Sequence, residues 1–328
     1  MKDNFILVTG GAGYIGSHVV NLLIKKNLSI IIVDNLSSGK ISFINKKAKF
    51  FKLNLLNKNI IFKKLKNFNI LSIIHLAAYS DVIESKKKPK KYLKDNLLMT
   101  KNLLDFAVSN NIKNFIFSST AAVYGNVDKI KVEEKDPKKP ISNYGLGKLY
   151  SEKLIKKYSL NNKLNYVLMR YFNVVGSDYK RRIGPIKSGT LFKNLSSNIV
   201  NSNYQIKIYG KNFNTMDGSA IRDFIDVTDL AEIHYLILKK IKTLKKVIIN
   251  CGYAKPNSVI QIIKYFSTLI KKKIKINTLE KRLGEIDQIY ADNSLLLKIL
   301  PRWKRKMSTK QSIYATLKWE EYIKKNKI

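Results

Sequence analysis

Tyr144 and Lys148 stand four residues apart, so on a helix both side chains occupy one face. A free phenol, with pKa about 10, is seldom ionised at neutral pH; an ammonium group beside it favours the phenolate and turns the pair into a proton acceptor. The spacing alone selects nothing. Among 18 tyrosines in a lysine-rich chain it occurs three times, at Tyr144/Lys148, Tyr235/Lys239 and Tyr314/Lys318. Context separates them. Only Tyr144 follows the strand-like run from Phe115 to Thr120, continued by Ala121-Ala122-Val123-Tyr124-Gly125, and precedes Arg170-Tyr171-Phe172-Asn173-Val174-Val175-Gly176. The other two pairs lie on amphipathic helical patterns, where a tyrosine serves a core or an interface.

A second constellation sits near the N-terminus. Thr9-Gly10-Gly11-Ala12-Gly13-Tyr14-Ile15-Gly16 joins a short apolar run to a helical pattern. Glycines in such a turn let the backbone approach a pyrophosphate, whose charge rests on the N–H groups of the helix start. Asp34 closes the next strand about twenty residues on, where a carboxylate accepts from both ribose hydroxyls of NAD and repels the extra phosphate of NADP. NAD is therefore the expected cofactor. His18, His75 and His234 have no carboxylate paired with them in sequence and read as packed or helix-surface residues. Cys251 is the single cysteine, so no internal disulfide is possible and no metal site is expected.

Strand ends and helix starts must meet to bring these residues together. Strand candidates are Phe5 to Thr9, Ser29 to Asp34, Lys49 to Leu53, Leu71 to Ala77, Asn114 to Ser119 and Asn165 to Tyr171, with helices near 14–26, 57–67, 91–109 and 144–160. That alternation predicts an α/β fold, a doubly wound parallel sheet of Rossmann type, followed by a second, smaller α/β domain for substrate. The expected boundaries are 1–172 for the NAD-binding domain and 173–328 for the substrate domain. A strand-to-helix pattern at Asp226 to Lys240 suggests that a segment near 225–250 returns to the first domain.

The formal charge of +39 invites a nucleic-acid reading. Only seven of the 62 basic residues are arginine, however, and the lysines are spread evenly with no arginine-aromatic patch, so no specific nucleic-acid partner is expected. Lys86-Lys87-Lys88-Pro89-Lys90-Lys91, the densest run, reads as a solvated helix start. No apolar stretch is long enough to span a bilayer, and ordered patterning begins at Phe5, so a cytoplasmic protein without targeting peptide or membrane contact is expected.

Taken in order, these motifs resemble the extended short-chain dehydrogenase/reductases, and within them the NAD-dependent sugar-nucleotide epimerases. The likeness runs over nearly the whole chain and adds Asp217-Gly218-Ser219-Ala220-Ile221-Arg222-Asp223-Phe224, Asn250-Cys251-Gly252 with Asn257-Ser258-Val259, and Arg282-Leu283-Gly284-Glu285. The resemblance implies a tightly held NAD, a UDP-hexose substrate and a homodimer. It implies catalysis by Thr120, Tyr144 and Lys148: oxidation at C4 of the sugar, rotation of the keto sugar and return of the hydride to its other face. Around the cofactor it adds Asn35, Asn54, Leu55, Leu76, Ala77, Ala78, Asn96, Ser118 and Tyr171, with Asn54 replacing a usual aspartate. For the substrate it implies Asn173, Arg222 and Arg282 at the diphosphate and Tyr209 on the uracil. Glu285 stands in place of an aspartate at the uridine ribose, Thr190 where Asn or His is usual, and Ile289 beside C2 of the hexose. Ala121 and Ala122 occupy the places where related 4,6-dehydratases carry an acidic pair, which disfavours elimination of water. An epimerase for another UDP-sugar (UDP-N-acetylglucosamine, a UDP-uronate or a UDP-pentose) and a non-catalytic NAD-binding scaffold remain as alternatives.

Overall fold

Residues 4–125, 129–178, 180, 182–281 and 285–326 are described by a computed structural model of the chain. In chain order the elements are β1 (Asn4–Thr9), α1 (Tyr14–Lys25), β2 (Ser29–Asp34), β3 (Lys49–Lys52), α2 (Lys58–Leu65), β4 (Asn69–His75), α3 (Val82–Lys87), α4 (Asn96–Ser109) and β5 (Asn114–Thr120). They are followed by β6 (Lys131–Val132), α5 (Asn143–Asn162), β7 (Asn165–Tyr171), β8 (Asn173–Val175), α6 (Leu191–Val200), β9 (Gln205–Tyr209), β10 (Ile221–Asp226) and α7 (Val227–Leu244). The chain ends with β11 (Lys246–Cys251), β12 (Pro256–Ser258), α8 (Val259–Ile270), β13 (Lys275–Leu279), β14 (Gln288–Ala291), α9 (Ser294–Ile299) and α10 (Thr309–Asn326). Two compact units result. The described residues of Met1–Val127, Glu134–Tyr171 and Ala231–Asn250 form the first, and those of Asp128–Glu133, Phe172–Leu230 and Cys251–Ile328 form the second.

Among the described residues of the first unit, seven strands form one sheet in the order β11-β7-β5-β4-β1-β2-β3, and the pairings from β3 across to β7 are parallel. The predicted doubly wound sheet is thus present. Leu7, Val8, Ile31, Val33, Ile73 and Phe115 are fully buried, because central parallel strands carry helices on both faces and read as continuous apolar runs. Strand order reverses direction between β1 and β4, and a crevice opens there beyond the carboxyl ends of the strands. In the strand-to-helix pattern at 226–240, β10 pairs with strands of the second unit, whereas α7 from Ala231 belongs to the first. The strand that joins the first sheet is β11, whose apolar stretch, Val247-Ile248-Ile249, is too short to stand out in sequence.

In the second unit the strands run β12-β10-β14-β6 with β8 also on β10, and β9 pairs with β13. Phe192, Phe224 and Phe266 pack on one another at the centre of its core. Ser258 starts α8 with a reciprocal cap to Gln261. Lys193 on α6 and Glu320 on α10 meet in a buried ion pair at 2.5 Å. Among the described residues no helix is long and apolar enough to cross a membrane.

Candidate active site

β5 ends in Ser118-Ser119-Thr120, and α5 presents Tyr144, Lys148 and Glu152 at intervals of four residues. The helix starts where Ser142 Oγ accepts the Gly145 N–H at 3.0 Å, which sets Tyr144 in the first turn. A Cβ on Gly145 would lie 2.5 Å from the Ala122 carbonyl oxygen, so glycine is needed for the helix to come this close to the loop after β5. Each of the three strand residues then engages one helix residue. Thr120 hydrogen-bonds the Tyr144 phenol oxygen. Lys148 Nζ donates to the Ser118 carbonyl at 2.6 Å and lies 3.3 Å from its Oγ. Ser119 Oγ donates to Glu152 Oε1 at 2.5 Å.

Burial dominates the electrostatics here. It pushes Lys148, 2% exposed, down to about 7, with the Glu152 carboxylate acting in the opposite sense. It also pushes the Tyr144 phenol up to about 12, against the hydrogen bond from Thr120. Sequence reasoning expects Lys148 and the positive nicotinamide ring together to lower the tyrosine. Among the protein's own groups the desolvation of the phenolate is the larger effect, and Lys148 Nζ donates to the Ser118 carbonyl.

The crevice of the first unit is lined at one end by Gly10, Gly13, Tyr14, Ile15 and Gly16, with Asp34, Asn35 and Leu55 beside them. Leu76, Ala77 and Ala78 follow β4, and Ser118, Tyr144, Lys148 and Tyr171 complete the wall. NAD fits this lining. Gly10 has φ +72° and a Cβ there would stand 2.7 Å from Ala77 N, so its bareness serves the chain's own packing. A Cβ on Gly13 would meet only the Gly10 carbonyl, at 3.2 Å, leaving its outer side free for a ligand. No side chain caps the start of α1 at Gly13, so this N-terminus suits a pyrophosphate. The Asp34 carboxylate accepts from Ala12 N at 3.0 Å and Leu36 N at 2.8 Å, fixing it at the end of β2 with lone pairs left for ribose hydroxyls. Tyr171 OH lies 2.6 Å from His234 Nε2, which holds that ring in place; His18, His75 and His234 are all buried.

Two of the expected cofactor residues do not themselves line this wall. Asn54 is exposed, and its Oδ1 accepts from Leu56 N at 3.0 Å to form a local turn. Asn96 is buried and acts through a neighbour, holding both the N–H and the carbonyl of Tyr79. Sequence reasoning did not reach Val33, Ser37, Ser38, Leu53, Tyr79, Ser80 and Met99, which also line the crevice. Val33, Leu53 and Tyr79 directly adjoin residues that it did name.

Of the expected substrate residues, Thr120 ends β5 in the first unit, and the others that are described belong to the second. Asn173 on β8 pairs with Phe224 of β10 and is exposed, and Arg222 on β10 stands in register with Ile289 on β14. The Arg222 guanidinium donates to the carbonyls of Ile221 and Ile286 at 2.8 and 2.7 Å, and its Nη2 is 4.0 Å from Glu285 Oε1. Glu285 Oε2 is buried and has no hydrogen-bond partner among the described residues. Ile289 is 6% exposed. Tyr209 ends β9, and Thr190 caps α6 by accepting from Lys193 N. Arg282 lies outside the described residues.

The sequence model described as NAD dependent epimerase/dehydratase family matches residues 6–252, across the sheet, the glycine turn and the Tyr144/Lys148 pair. The chain belongs to that family. Among curated members of the NAD-dependent epimerase/dehydratase family it is 33% identical to UDP-glucose 4-epimerase of Lactobacillus helveticus, over 96% of this chain and 97% of that one. It is 32% identical to UDP-arabinose 4-epimerase 1 of Arabidopsis thaliana, over 96% of this chain and 79% of the other. The crystal structure of UDP-glucose 4-epimerase from Brucella ovis in complex with NAD superposes with a TM-score of 0.92 at 29% identity, covering 97% of this chain and 98% of that one.

Proposed function

We propose that the chain interconverts UDP-glucose and UDP-galactose by inversion at C4. The observation that carries this reading is the engagement of Thr120, Tyr144 and Lys148 at the edge of an NAD-compatible crevice. NAD, when bound, supplies the hydride acceptor that later returns the hydride, together with a positive charge that favours the phenolate. Tyr144 takes the C4 hydroxyl proton on its phenol oxygen and gives it back after the keto sugar has turned. Thr120, already hydrogen-bonded to that oxygen, orients the proton's path. Lys148, fixed by the Ser118 carbonyl, keeps a positive charge near the phenol. Asp34 holds the adenine ribose, and the start of α1 holds the pyrophosphate.

In the second unit Asn173, Arg222 and Arg282 serve the diphosphate, Tyr209 the uracil and Glu285 the uridine ribose, whose hydroxyl would supply the hydrogen-bond partner that Glu285 Oε2 lacks among the described residues. Ile289 borders the hexose. Thr190, committed to capping α6, replaces an amide or imidazole with a short hydroxyl. A homodimer in the cytoplasm completes the proposal. Conversion of UDP-galactose to UDP-glucose by the purified protein tests it. Tyr144→Phe is expected to lower turnover by at least about a hundredfold, and near-normal turnover in that variant would remove Tyr144 from the chemistry.

A further inference from the structure

Asp287 follows Glu285 by two residues, and its carboxylate accepts from Asn214 N at 3.0 Å and from Lys281 Nζ. Lys281, just beyond the end of β13, also stands over the Phe213 ring, 4.4 Å from its centroid. Phe213 packs on the bend after Tyr209: Gly210 has φ +77°, and a Cβ on it would lie 2.5 Å from the Phe213 ring. Tyr209 itself is in register with Leu279 on β13, and Gly210 N donates to the Leu279 carbonyl at 2.9 Å. On its backbone side, Asp287 offers a carbonyl that accepts from Ile221 N at 2.9 Å and from Arg222 Nη1 at 3.3 Å. The loop after Tyr209, the start of β10 with Arg222 and the segment carrying Glu285 thus meet at Asp287.

We infer that Asp287 is a positioning residue for the uridine end of the substrate, a carboxylate that clasps the 210–218 loop and Lys281 against the start of β14. This role rests on the reading of Tyr209 and Glu285 as the uracil and ribose contacts. The far side of the loop is held separately, by Asp217 on Ser258 at the start of α8, so Asp287 governs the side next to Glu285. Lys281 and the Asn214 N–H hold the Asp287 carboxyl below the usual carboxylate range, and the clasp is therefore charged at neutral pH. With side chains 33% and 42% exposed, Asp287 and Lys281 are partly screened by water, which limits the effect to a few-fold. The sign separates positioning from plain electrostatics. Removing a carboxylate raises the local positive potential, which by itself would tighten an anionic nucleotide, whereas a lost clasp loosens it.

Binding of UDP and of UMP to the NAD-loaded protein is measured by titration calorimetry, with KM and kcat for UDP-galactose beside it. In Asp287→Ala both nucleotides are expected to bind about fivefold more weakly, the scale of one partly exposed charged contact. KM should rise by a similar factor while kcat stays within about twofold, because Thr120, Tyr144 and Lys148 lie on other elements. Asp287→Asn, which can still accept from Asn214 N, should fall between the wild type and Asp287→Ala. Where Asp287→Ala does not fold, Asp287→Asn decides: weaker binding of both nucleotides supports the inference and unchanged binding overturns it. Unchanged or tighter binding in Asp287→Ala overturns it too, as does a loss confined to UDP, which would place the effect at the diphosphate. Failure of the wild type to bind either nucleotide would strike the proposed function and the inference with it, whereas wild-type binding that Asp287→Ala leaves intact strikes the inference alone.

Discussion

Replacing His75 with glutamine should make the protein less stable at neutral pH and more acid-tolerant, with the two stability curves crossing. His75 sits at the end of β4 with Nδ1 2.8 Å from Thr9 Oγ1 and Nε2 3.1 Å from Thr100 Oγ1. Thr100 gives its own proton to the Asn96 carbonyl at 2.9 Å, so it accepts from Nε2–H and leaves Nδ1 to accept from Thr9. A second ring proton would oppose the Thr9 hydroxyl and add charge beside Lys148, and burial lowers the imidazole to about 3. Between an unfolded pKa of about 6.5 and that value, the unfolded chain binds more protons. Stability therefore rises with pH across this window and is lost as pH falls through it, by about 1.4 kcal/mol per unit. Glutamine forfeits ring contact with Phe115 and Phe117 and at least one hydrogen bond, a loss of about 2 kcal/mol at pH 7.5. From pH 7.5 to 4.5 the wild type should lose about 2.7 kcal/mol more than the variant, which places the crossing at about pH 5. Urea unfolding at several pH values, with NAD saturating throughout, measures both curves. Curves that stay parallel from pH 7.5 to 4.5 would refute the reasoning.

The other expectations are shorter. Asp34→Ala should release NAD during purification, read from the absorbance of bound cofactor, because Asp34 accepts from Ala12 N and, in the proposed reading, from the adenine ribose; retention at the wild-type level would count against it. Lys193→Met should destabilise the second unit by about 3–5 kcal/mol through the orphaned Glu320, while Lys193→Met/Glu320→Leu recovers most of the loss in urea unfolding. The wild type is expected to accept UDP-N-acetylglucosamine at a reduced rate, and Ile289→Tyr should lower that activity relative to UDP-glucose; an unchanged ratio would dismiss Ile289 as a border of the hexose site.

The first sheet was readable because its central strands are uninterrupted apolar runs and its helices have full-length periodicity, as at Ser29–Asp34 and Asn165–Tyr171, whose predicted and observed bounds coincide. β11 escaped because three apolar residues between Lys246 and Asn250 make too weak a pattern. The Tyr144/Lys148 pair was legible through its neighbours, since spacing alone left three choices. The direction of the Tyr144 shift was not, because desolvation depends on what surrounds the hydroxyl in three dimensions. Glu152 showed no signal either: a glutamate in a polar helix reads as a surface residue until Arg170 and Ser119 are seen to enclose it.

The route of the chain through its first unit has a consequence for synthesis on the ribosome. β7 is finished at Tyr171, but its outer neighbour β11 begins only at Lys246, after much of the second unit has been made. At translation speeds of about 5–20 residues per second, the edge of β7 waits roughly 4–16 s for its partner. During that interval its open N–H and carbonyl groups form an unprotected strand margin. A nascent chain stalled between residues 171 and 246 should therefore be the aggregation-prone species, and a fragment ending at Tyr171 should need a chaperone that the finished protein does not.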